Sequence, residues 1–96
     1  MDGKYSIVLN TPMGNERGII LFRTKDNELS GVISAKGGNN PFYGGRISGN
    51  KFQFSGEMNI LMMRIQYTAT GRVEGGKLTG IVRTRYGDFA VNGSRI

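Results

Sequence analysis

The stretch Lys51-Phe52-Gln53-Phe54-Ser55-Gly56-Glu57-Met58 alternates without a break between polar residues and apolar or small ones. Successive side chains leave a β-strand on opposite sides, so this period-2 pattern describes a strand with one face in a core and the other in water. The alternation continues through Met63, Ile65, Tyr67, Ala69, Gly71 and Val73, then Leu78, Gly80 and Val82, then Phe89, Val91, Gly93 and Arg95. Upstream, the same face receives Tyr5, Ile7 and Leu9; Ile20, Phe22 and Thr24; Leu29, Gly31 and Ile33; and Phe42, Gly44 and Arg46. The opposite face is rich in Ser, Thr, Gln, Lys and Arg. No stretch keeps a 3.6-residue period.

Eight strands are predicted, at about 4–10, 16–24, 28–36, 41–48, 50–58, 62–73, 77–86 and 88–95. Asp26-Asn27 and Gly75-Gly76 suit the positive φ of two-residue hairpin turns, Gly49-Asn50 joins the halves, and Pro41 is placed at the start of a strand. One apolar, glycine-studded face and one polar face are the pattern of an antiparallel sheet curled round its own core. The expected fold is therefore all-β: an eight-stranded antiparallel up-and-down barrel without substantial helix, with a more open sandwich as the rival architecture.

A shift of 49 positions aligns 1–47 with 50–96 without a gap. The identical pairs are Ser6/Ser55, Asn10/Asn59, Met13/Met62, Arg23/Arg72, Leu29/Leu78, Gly31/Gly80, Gly38/Gly87, Gly44/Gly93, Arg46/Arg95 and Ile47/Ile96. They fall mostly on turns and on the inward face, as expected of one domain, 1–96, built from two four-strand half-repeats.

Composition narrows function more by exclusion than by assignment. The 96 residues include 16 glycines and neither Cys nor His. This rules out disulfides, thiolate nucleophiles, and the commonest metal ligand and general base. No cofactor or metal is expected. No run of 18 apolar residues exists, so no membrane span is expected, and the cysteine-free chain is assigned to the cytoplasm. The net charge of +6 divides unevenly: 1–48 carries six basic and four acidic residues, 49–96 seven and three. The surplus permits an anionic partner without naming one.

Gly3-Lys4-Tyr5, Leu9-Asn10-Thr11-Pro12-Met13-Gly14, Lys77 to Thr84, and Phe89 to Gly93-Ser94-Arg95 together resemble a family of small Gly-rich bacterial β-domains. That family is calycin-like, related to the lipocalin barrels, and of unassigned function. Its members occur alone or appended to flavin-dependent reductases. The family tends to repeat Thr-Pro-x-Gly near the C-terminus, where this chain has Thr84-Arg85-Tyr86-Gly87.

Arg46 and Arg95 fall on the inward face by parity. A guanidinium there must be paired or sit at an open end. It either stacks across an aromatic such as Tyr5, Phe52 or Phe54 and plugs the barrel, or anchors a ligand carboxylate or phosphate. The resemblance implies the plug, since calycins close one end with an arginine over an aromatic. Ile60, Leu61 and Met62 stand where the first half has a turn. They form either a lid over the barrel mouth, or a protein-contact patch or ligand portal, and with the outward Ile19 and Leu21 they offer a surface for a second copy of the chain. Arg64, Arg72, Arg83 and Arg85 share the outer face, either as a solvated surface or as a polyanion site. Nucleic acid is disfavoured as a partner, because parity puts Tyr86 inside and leaves no outer aromatic among these arginines.

No inward carboxylate pair and no Ser/Lys pair is visible, so no catalytic residue is assigned and the protein is not expected to be an enzyme. The leading expectation is a non-enzymatic binding or accessory module for a small, partly apolar anion or a protein partner. The alternative is polyanion or nucleic-acid binding on the basic outer face.

Overall fold

The computed structural model describes residues 1–12, 14–35, 38–60 and 63–96. Eight strands run round a closed antiparallel barrel: β1 Gly3–Thr11, β2 Gly14–Lys25, β3 Glu28–Ala35, β4 Gly38–Ser48, β5 Lys51–Ile60, β6 Met63–Glu74, β7 Lys77–Thr84 and β8 Gly87–Arg95. Each pairs with its sequence neighbours, and β8 returns to β1 through Tyr5↔Arg95 to Leu9↔Val91. No helix occurs among the described residues. The expected up-and-down barrel is thus the fold, and it is compatible with a calycin-like architecture. β2 and β6 start and end 49 residues apart (14 to 63, 25 to 74), as do β3 and β7 (28 to 77, 35 to 84).

The interior is aromatic. Tyr5, Phe22, Phe42, Phe52, Phe54 and Tyr67 are buried with Ile20, Leu29, Ile33, Ala69, Leu78 and Val91. Phe42 and Phe54 stack at 3.9 Å and 15°, while Phe22 sits among Tyr5, Phe42, Phe52 and Phe54 at 5.2 to 6.2 Å. These tilted and edge-on contacts suit the ring quadrupoles. Four two-residue turns among the described residues (26–27, 49–50, 75–76 and 85–86) join neighbouring strands. Asp26 takes φ 56°, as expected of a turn of this kind.

Three features depart from strict alternation. First, Gly31 pairs with Phe42 but Leu29 pairs with Gly45, so Tyr43 and Gly44 on β4 oppose Ser30 alone on β3. Gly44 has φ +71°, a conformation glycine adopts without a Cβ penalty. This bulge reverses the facing of everything after it in the strand. Gly45 is buried and Ile47 packs on the core, whereas Gly44 and Arg46 are exposed. The inward placement of Arg46 is therefore corrected: it stands outside, opposite Glu28.

Second, Pro41 is the fourth residue of β4, not its first. It lies opposite Val32 but has no β5 partner, because the β4–β5 ladder covers only Arg46↔Gln53, Ile47↔Phe52 and Ser48↔Lys51. Proline lacks an N–H, so Val32–Pro41 must be a non-hydrogen-bonded pair whose Pro41 backbone groups point to the unpaired side. The strand thus continues through a residue that would break a ladder on both sides.

Third, β7 ends at Thr84, and Tyr86 lies in the β7–β8 turn with 56% of its surface exposed. Its expected inward facing is corrected, because a turn residue escapes strand parity. The Thr84 hydroxyl donates to the Gly87 carbonyl at 3.0 Å and accepts the Tyr86 N–H at 3.0 Å. The Thr11 hydroxyl donates to Gly14 O at 2.6 Å in the same way. Threonine and glycine set this turn, so Arg85 can replace the proline between them.

Candidate functional site

At the end of the barrel that carries both chain termini, Arg95 lies 5.7 Å from the centroid of the fully buried Tyr5 ring. Its guanidinium donates to the Asp2 carbonyl. The Tyr5 hydroxyl donates to Met1 O at 3.1 Å, and Ile96 N to Lys4 O at 3.0 Å. The Asp2 carboxylate accepts from the Thr24 hydroxyl and from its N–H at 2.7 Å. These bonds, the hydroxyl one foremost, hold the Asp2 carboxyl below its ordinary range. This end is closed by side chains already engaged with one another. Arg95 and Tyr5 come together there, Phe54 lies deeper in the core, and Arg46 takes no part.

Towards the opposite end, where the β1–β2, β3–β4, β5–β6 and β7–β8 hairpins turn, the interior holds an apolar cavity of about 70 Å³. Its wall includes Ile7, Ile20, Ile33, Phe54, Met58, Tyr67, Val82 and Val91, with Glu16 and Arg17 also lining it. Tyr67 is 5% exposed and meets Phe54 edge-on at 6.0 Å. Gly56 stands opposite Tyr67 on β5, and a Cβ there would lie 2.8 Å from the Tyr67 hydroxyl. The missing side chain is what lets the ring lie across β5. No hydrogen bond to this hydroxyl occurs among the described residues, and burial pushes the phenol up to about 12. It therefore stays a neutral donor near pH 7.

Alternation alone places Tyr67 inward. Singling it out needs the register that sets Gly56 across from it. Arg17 was not foreseen either, because its parity is outward; it is exposed and yet lines the cavity.

The raised phenol gives a signed pH dependence. The folded state holds the Tyr67 proton above the ordinary tyrosine range, so the resulting stability is complete below pH 10 and lost as pH rises through about 12. Between pH 10 and 12 the wild-type protein should lose about 1–2 kcal/mol more than Tyr67→Phe, read as urea midpoints across that window. Parallel curves for the two proteins would show that the hydroxyl is not held in the interior.

Outside the barrel, Arg64, Arg83 and Arg85 line an open concavity of about 970 Å³ with Ser55, Glu57, Gln66 and Thr68, and Tyr67 lines both it and the interior cavity. Arg64 approaches Glu57 at 3.5 Å and Arg83 approaches Asp88 at 3.8 Å; both pairs are well exposed. Arg72 is exposed further along β6, directly opposite Lys51. Leu61 and Met62, and the side chain of Ile60, lie outside the described residues. No helix among the described residues is long and apolar enough to cross a membrane. No protein-family model matches the chain, and no curated protein matches it by sequence.

Proposed function

We propose that the barrel is a non-enzymatic binding module that takes the alkyl part of a small, partly apolar ligand into the cavity at its hairpin end. The observation that carries this reading is the apolar cavity itself, with the buried Tyr67 side chain on its wall. The Tyr67 hydroxyl, a neutral donor with no side-chain or backbone acceptor among the described residues, is free to donate to an acceptor atom on such a ligand. The cavity, about 70 Å³, is roughly half the volume of one that takes benzene, so it suits three to five carbons. Arg17, exposed on the cavity lining beside Glu16, is the basic residue there that could meet an anionic head, a role the exposed Arg46 and the engaged Arg95 do not fill. The resemblance to calycin-like domains appended to bacterial flavin-dependent reductases supports an accessory role in which such a ligand is held for a neighbouring domain.

The test is a methyl NMR titration with 1-butanol, butyrate and decanoate. Butanol and butyrate should shift the Ile7, Ile20 and Val82 methyls saturably at about millimolar concentration, which is what a handful of heavy atoms delivers. Tyr67→Phe should weaken both several-fold, and Arg17→Gln should weaken butyrate alone. If those methyls do not move, or if decanoate moves them while the short probes do not, the reading is wrong.

A further inference from the structure

We propose a second, independent site: the outer face of β5, β6 and β7 binds single-stranded nucleic acid. The strand register lays out the face. Lys51 and Arg72 stand directly opposite each other at one end, and Thr68 opposite both Ser55 and Arg83 further along. Arg64 and Arg85 extend the basic surface beyond them, lining the outer concavity with Arg83. From Arg72 to the row of Arg83 is four residues of β6, roughly 13 Å at 3.3 Å per residue. Two or three consecutive phosphates of an extended strand span that length. Between the arginines lie Thr68, Thr70, Ser55 and Gln66, hydroxyls and an amide of the kind that position phosphates.

Two further observations point to a polyanion with bases. Like charges directly opposite on neighbouring strands destabilise a sheet, and neither Lys51 nor Arg72 has an ion pair among the described residues. An anion bridging the two would turn that repulsion into attraction. In addition, Tyr86 lies in the β7–β8 turn next to Arg85, its backbone held by the Thr84 hydroxyl and the residue 56% exposed. An exposed phenol on the residue that follows Arg85 offers a stacking platform of the kind a single strand uses, since every base offers a π-face. An acidic peptide makes no use of it.

Glu57 and Asp88 are the acidic groups in the way. Their pairs with Arg64 and Arg83 are exposed and long, so they hold those arginines with little energy and a phosphate can exchange for them. The affinity should accordingly be modest and strongly salt-dependent.

The experiment is fluorescence anisotropy with a labelled twelve-residue oligo-dT, using unlabelled polyglutamate and heparin as competitors. With about three phosphates engaged, affinity should fall about 20-fold between 50 and 200 mM salt. Arg72→Gln with Arg85→Gln should weaken oligo-dT at least tenfold, thermal melts confirming the fold. Tyr86→Ala should weaken oligo-dT about tenfold and leave heparin unchanged. No binding at 50 mM salt overturns the proposal. So does an unaffected Tyr86→Ala, or polyglutamate competing as well as unlabelled oligo-dT, since either reduces the face to a general polyanion surface. None of Arg72, Arg85 and Tyr86 lines the interior cavity, so these variants should leave butanol binding unchanged and the two sites stand or fall separately.

Discussion

Replacing Phe22 with alanine is expected to lower the melting temperature by about 15–30 °C, the largest loss from any single side-chain truncation in the barrel. Phe22 is 1% exposed, and its ring meets Tyr5 at 5.5 Å, Phe42 at 6.2 Å, Phe52 at 5.2 Å and Phe54 at 6.0 Å. These rings project from β1, β2, β4 and β5, so Phe22 joins strands that are not all neighbours. Truncating a large aromatic removes its transfer free energy and leaves a cavity, together about 3–5 kcal/mol. Relaxation recovers little here, because the surrounding rings are wedged against one another on a closed barrel that has no free strand to slide. A domain of this size is stable by only about 5–15 kcal/mol, so Phe22→Ala should also shift the urea midpoint markedly and move towards partial unfolding at 37 °C. Circular dichroism melts decide it. A drop under 5 °C would mean that the aromatic cluster is not what holds the two halves together.

The barrel itself was legible because its two signals reinforce each other. The alternation around Phe52 and Phe54 gave the strand faces, and Asp26-Asn27 with Gly75-Gly76 gave the turns between strands. What could not be read was anything set by one added residue. The Tyr43-Gly44 bulge leaves no mark that separates Gly44 from Gly93, its partner in the 49-residue repeat. Yet it puts Arg46 outside the barrel while Arg95 closes its end. Equivalent positions in the two halves, both exposed, thus have different partners, because the ladder, and not the local sequence, decides which of two neighbouring residues is squeezed out.

Tyr86 failed in the same way: strand parity was carried two residues past Thr84, where the threonine hydroxyl had already turned the chain. Both errors bear on function. The first removed a supposed ligand anchor, and the second put an exposed aromatic beside the arginines. Pro41 shows the converse. A residue that looks like the beginning of a strand marks where β4 has a neighbour on one side only, a fact about pairing that no local pattern contains.

Gly31→Ala should cost at least about 3 kcal/mol, beyond the usual range for one added methyl group in a packed interior. A Cβ at Gly31 would lie 1.9 Å from the Leu21 carbonyl oxygen, and 2.8 and 3.0 Å from the Phe42 ring. The ring could turn, but the carbonyl cannot: Leu21 stands opposite Val32 in the β2–β3 ladder, and moving its oxygen means parting the strands. Gly80, the counterpart of Gly31 in the second half, is less confined, with Thr70 O at 2.6 Å and Gly71 Cα at 3.2 Å. Both alanine variants should therefore melt below wild type, with Gly31→Ala the lower by about 5–10 °C. The difference has a structural cause. Gly31 lies beside the bulge with the Phe42 ring against it as well as the Leu21 carbonyl, whereas Gly80 lies in a regular ladder with no ring against it. Equal melting temperatures would show that the bulge exacts no local crowding. A Gly31→Ala protein as stable as wild type would require a looser β2–β3 contact than the position of the Leu21 carbonyl allows.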